Sequence, residues 1–133
     1  MPDRLVWLDA YDSGNSLIDS QHRQMFAIVN ALFDEANGAV TPRVLELLDE
    51  LIMHTIAHFR DEEWQLERLG FGEIEEHRRE HAVLLEKTLT QRQVLSAGSG
   101  TCAELLDFLA DEVVFGHLLG CDREYFDLIT PPR

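Results

Sequence analysis

A chain of 133 residues is the length of one domain and can bury a core without disulfides. Its 45% hydrophobic content is that of a soluble globular protein, and 11 basic against 25 acidic residues give a net charge of −14. That charge excludes a nucleic-acid or anionic-membrane surface, both of which require clustered Lys and Arg.

The opening residues 1–18 lack a helical period and read as an ordered arm carrying Trp7, Tyr11 and Gly14. They contain no apolar stretch of the kind that heads a signal peptide, and no run further on has the length of a membrane span. The expected location is the cytoplasm. Ile18, Met25, Phe26, Val29, Leu32 and Phe33 then recur at helical spacing, with Asp19 or Ser20 as candidate caps and Asn37-Gly38 as the stop. Thr41-Pro42 opens a second helix, whose stripe is Leu45, Leu48, Leu51, Ile52, Phe59 and Leu66 and whose stop is Gly70. A third helix is expected from Glu73 to Leu95, with Ile74, Leu84, Leu85 and Leu89 inward, ending in the Gly98-Ser99-Gly100 turn. Thr101 to Glu104 is a capping box, followed by a fourth stripe of Leu105, Leu106, Leu109 and Val113. Gly120 breaks this helix, a short helical piece follows near Glu124 to Leu128, and Pro131-Pro132 ends the structure. The reading is all-α: an antiparallel up-down-up-down four-helix bundle, residues 1–133, with an N-terminal arm and a short C-terminal helix. Cys102 and Cys121 are too few for a disulfide framework and read as reduced, partly buried small side chains.

Six histidines fall within these helices or at their edges, and five of them continue the apolar stripes. His22 follows Ile18 by four, His58 precedes Glu62 by four, His77 precedes His81 by four, and His117 follows Val113 by four. Residues four apart share a helix face, so these side chains point into the core. One buried histidine is ordinarily satisfied by a local hydrogen bond. Five with an inward glutamate exceed what hydrogen bonds can satisfy at one level of a core. Asp122 follows His117 by five, which turns it off the face unless Gly120 ends the helix and lets the chain bring it back. Five imidazoles and two carboxylates are too many for one zinc ion. They suit two first-row ions with carboxylates between them.

The ordered set resembles the hemerythrin family, especially its single-domain bacterial members. The matching residues are Trp7, Ile18-Asp19-Ser20-Gln21-His22, His58-Phe59-Arg60-Asp61-Glu62-Glu63, His77-Arg78-Arg79-Glu80-His81 and His117-Leu118-Leu119-Gly120-Cys121-Asp122. H-x-x-x-E or H-x-x-x-H alone is weak, but the full set on successive helices is specific. The resemblance implies that His77, His81 and His117 ligate one iron and His22 and His58 the other. Glu62 and Asp122 would bridge the two together with an oxo or hydroxo group. The second iron, one ligand short, would take molecular oxygen reversibly, for storage, transport or delivery.

Reversible uptake requires a dry pocket, for which Met25, Phe59, Val113 and Val114 are the candidate lining. His54, one turn before His58, has no ligand role in the pattern and reads as a hydrogen-bonded boundary residue. Trp7 and Trp64 read as packing anchors. Asp61, Glu63, Glu67, Glu73, Glu75, Glu76 and Glu80 read as a solvated face. An alternative is a di-iron redox enzyme that reduces peroxide or nitric oxide. The histidine-rich ligand set argues for the ferrous, reversible state instead. A further alternative is an oxygen or redox sensor acting through a separate partner. No nucleic-acid or membrane partner is expected, and the heavy like charge favours a monomer.

Overall fold

The computed structural model describes residues 13–36 and 38–118, with side chains through Val113. Among these residues there is no strand. Helix α1 spans Ser16–Glu35. Its cap is Asn15, whose side chain accepts from the Ile18 amide at 3.2 Å, rather than Asp19 or Ser20. Asp19 reaches back instead, accepting from the amide and hydroxyl of Ser13 at 2.8 and 2.7 Å and from the Gly14 amide at 3.1 Å. The entering chain is thereby fastened to the first turn of α1. Asn15 also donates to Gln65 Oε1 at 3.0 Å, which joins that corner to the next helix.

Helix α2 spans Pro42–Arg68, with Thr41 accepting from the Val44 amide at 3.2 Å and Pro42 in the first turn. Helix α3 spans Ile74–Ser96. The two helices stop in the same way. Gly70 and Gly98 take φ of 75° and 79°, a left-handed conformation that only glycine adopts without strain. The amides of Phe71 and Ser99 then return to the carbonyls of Leu66 and Val94 at 3.0 Å each, closing both ends as Schellman motifs.

Helix α4 spans Cys102–Phe108, with Thr101 accepting from the Glu104 amide at 3.1 Å. It widens into a π-helical continuation, Leu109–Leu118, where an unbroken α-helix was expected. His117 lies within this segment. Gly120, Cys121, Asp122, the C-terminal helix and the arm with Trp7 and Tyr11 lie outside the described residues.

α1 packs on α2, α2 on α3, and the π-helical continuation on α1. This arrangement, with short glycine turns between neighbours, is the four-helix bundle expected from the sequence. Its main core joins Met25, Phe26, Val29, Leu48, Leu51, Phe59, Leu84, Leu105, Leu106, Leu109 and Val113. A smaller cluster joins Ile18 and Leu66, with Phe71 and Ile74 against them. Two expectations fail. Leu89 is exposed, and Thr88 is buried next to it, its hydroxyl satisfied by the Leu84 carbonyl at 2.8 Å. Trp64, expected as a packing anchor, is 58% exposed, and its ring carries the Arg68 guanidinium at 4.5 Å. Cys102 is buried as expected, its thiol donating to the Ala39 carbonyl at 3.5 Å. Among the described residues no helix is long and apolar enough to cross a membrane.

Candidate metal centre

Between the two apolar clusters runs one polar layer. Along α1 the buried order is Ile18, His22, Met25; along α2 it is Phe59, Glu62, Leu66, with His58 beside Phe59; along α3 it is His77, His81, Leu84. His22 and His58 are wholly buried, and Glu62, His77 and His81 are at most 3% exposed. The helical period places them, since each continues a stripe whose other members are apolar.

Their inward atoms meet. His22 Nε2 lies 3.1 Å from His58 Nε2, and His58 Nε2 lies 2.9 Å from Glu62 Oε2. On the other side, His77 Nε2 and His81 Nε2 lie 2.5 and 3.1 Å from Glu62 Oε1. Two groups of potential ligands result, His22–His58–Glu62 and Glu62–His77–His81, each with its donor atoms within 4.8 Å of one another. Glu62 belongs to both, one oxygen toward each group, as a bridging carboxylate would be.

The outer ring nitrogens fix what the inner ones can do. Gln21 Nε2 donates to Asp61 Oδ2 at 2.8 Å, which orients the amide so that its Oε1 meets His58 Nδ1 at 2.7 Å. Glu63 Oε2 meets His81 Nδ1 at 2.8 Å. An amide oxygen and a carboxylate only accept, so both rings carry a proton on Nδ1. In the neutral rings the Nε2 lone pairs then face the oxygens of Glu62, which is repulsive. Protonating the rings instead would gather several positive charges around one carboxylate in a core with little water, where burial penalises each of them. Cations that accept these lone pairs resolve both difficulties. The donor set therefore fits metal, and imidazole with carboxylate suits first-row ions.

Of the expected pocket residues, Met25, Phe59 and Val113 are buried. Phe59 lies flat on the His81 ring, centroids 3.8 Å apart and planes 2° apart. For Val114 and His117 the structure describes the backbone, within the π-helical continuation, and Asp122 lies outside the described residues. His54 is exposed, which removes it from the layer.

Sequence reasoning did not find the residues that hold the outer nitrogens. Asp61 and Glu63 belong by sequence to the solvated face, yet both are partly buried and turn toward the site. Gln21 stands in the matching stretch before His22, but nothing in the sequence gives it a role.

The family model described as the hemerythrin HHE cation-binding domain matches residues 13–129. A bacteriohemerythrin of Stenotrophomonas maltophilia is 31% identical over 125 residues, 94% of this chain and 81% of the relative. One of Pseudomonas paraeruginosa is 29% identical with the same coverage. Among solved structures, wild-type hemerythrin superposes with a TM-score of 0.85 at 25% identity, covering 97% of this chain and all of that one.

Proposed function

The chain belongs to the hemerythrin HHE cation-binding family, and we propose on that footing that its polar layer is a di-iron centre that binds molecular oxygen reversibly. The observation that carries this reading is the convergence of the Nε2 atoms of His58, His77 and His81 on the two oxygens of the buried Glu62, with His22 Nε2 meeting His58 Nε2 beside them. His77 and His81 would hold one iron together with His117. His22 and His58 would hold the other. Glu62 and Asp122 would span the two, alongside an oxo or hydroxo bridge. Two irons held by these residues would supply the reversible electron donation to oxygen.

The chain's own residues make that exchange reversible. Met25, Phe59 and Val113, with Val114 proposed beside them, keep the layer dry, so that water and protons do not intercept the exchange. The apolar clusters on either side seal it further. Gln21 and Glu63 hold His58 and His81 in one tautomer, so the lone pairs stay aimed inward through the cycle. The reading includes one domain over residues 1–133, a cytoplasmic location, and a binding rather than an enzymatic role.

The visible spectrum of the anaerobically reduced protein tests it. A pink-violet colour that forms with oxygen and fades on argon purging is the expected result. A yellow ferric product formed without a lasting coloured stage would overturn reversible binding and favour peroxide or nitric oxide reduction.

A further inference from the structure

His58 and His81 are held from outside in the same geometry but by different chemistry. His58 Nδ1 meets the neutral amide of Gln21 at 2.7 Å, and His81 Nδ1 meets the carboxylate of Glu63 at 2.8 Å. Hydrogen bonds to an ionised acceptor are roughly twice as strong as neutral ones. They also draw the ring proton outward and raise the basicity of the opposite nitrogen. The negative charge is only partly offset. Arg78 Nε approaches Glu63 at 3.4 Å, but the same guanidinium serves Glu67 at 3.0 Å and Glu75 at 2.6 Å.

The grip on His81 is more complete than this one bond. Three residues of α2 close on it: Glu62 at Nε2, Glu63 at Nδ1, and Phe59 flat against its face. Consecutive side chains on a helix diverge, so Glu62 points into the layer, whereas Glu63 passes around the ring to its outer edge. His58, by contrast, takes its outer partner from α1, through an amide that itself leans on Asp61.

From this we infer that Glu63 is a positioning residue that widens the inequality between the two halves of the centre, beyond the three histidines against two of the proposed ligand set: it strengthens the Glu62–His77–His81 half, which takes up a divalent ion first and releases it last. The inference rests on the metal-centre reading above and adds an order to it. The share of Glu63 resides in its charge and not only in its reach, because glutamine at that position could still accept from Nδ1.

The test uses the full chain loaded with cobalt(II) and challenged with a competing chelator. Release is followed by the chelator's absorbance, and the retained ion by its visible bands. The wild type is expected to lose its two ions in separate steps. Glu63→Gln should advance the later step by about 10- to 100-fold in chelator concentration and leave the earlier one in place. Gln21→Glu should delay the earlier step. If Glu63→Gln behaves as the wild type while Glu63→Ala does not, Glu63 is a tether without electrostatic effect and the inference is wrong. It is also wrong if the wild type releases both ions together. Uptake of fewer than two cobalt ions by the wild type would count against the two-metal reading. The Glu63→Gln comparison on the bound ion would still decide the role of Glu63.

Discussion

His22 and His58 present their Nε2 atoms to each other at 3.1 Å with no exposure to water. Such a contact is favourable when His22 donates an N–H to the His58 lone pair or when a cation lies between the two nitrogens, and only the cation lets both rings act as ligands. The sign of a substitution here should therefore depend on metal. His22→Leu is expected to cost metal and several degrees of melting temperature in the loaded protein. In the chelated protein it should be neutral or stabilising by about 1 kcal/mol, as when other buried polar clusters are replaced by apolar side chains. Paired thermal melts with and without chelator measure both signs, and destabilisation of equal size in both would contradict the argument. His54→Ala should leave metal content unchanged and stability within about 0.5 kcal/mol, the range of ordinary surface changes; metal analysis and a melt suffice. At this scale the spacing of His22, His58, Glu62, His77 and His81 made the inner atoms of the site legible, because a four-residue interval fixes a helix face. Their outer partners were not legible. Whether Glu63 faces water or the neighbouring ring depends on how α2 and α3 cross, which no local pattern encodes.

The helix ends are where short-range chemistry decides most, and Asn15, Thr41 and Thr101 each accept a backbone amide at the start of a helix. Thr101→Ala should cost about 1 kcal/mol, the usual value of such a cap. Asn15→Ala should cost more, since Asn15 also ties α1 to Gln65 of α2; denaturant midpoints would rank the two. Between α2 and α3, Arg92 makes two bonds to Asp49, at 2.7 and 3.2 Å. The hydrogen bond from Arg92 holds the Asp49 carboxyl below its ordinary value, against a small opposing effect of burial. A carboxyl that is more acidic in the folded state stabilises above its unfolded pKa, and the contribution is lost as pH falls through the folded value. Asp49→Asn should therefore cost roughly 0.2–1 kcal/mol at neutral pH, as exposed pairs do, and that difference should vanish well below pH ~4. A series of melts against pH would show the two curves converging. The capping threonines and the glycine stops were readable because each is a local device. The widening of α4 was not, and neither was the outward turn of Leu89, because both are set by what the neighbouring helices leave room for.

Across the whole molecule, a hydrophobic bundle surrounds a buried polar layer, and with metal held there as proposed, ion binding and folding would be coupled. Free metal at about 100 times its dissociation constant adds roughly 2.7 kcal/mol, which for a chain of this size raises the melting temperature by on the order of 10 °C. Scanning calorimetry at graded metal concentrations would check the slope, and a flat response would sever the coupling. The bundle class was legible from four amphipathic stripes and the turns between them. The order in which its helices meet has a kinetic meaning. α1 meets α2 and α2 meets α3, so much of the packing joins chain neighbours across short turns. Low contact order of this kind goes with folding in roughly microseconds to milliseconds. Collapse should then outpace the arrival of metal at ordinary concentrations. Maturation would be limited by delivery of the ion into a bundle already closed around its place, and stopped-flow refolding should show a metal-independent fast phase followed by a slower phase whose rate rises with metal.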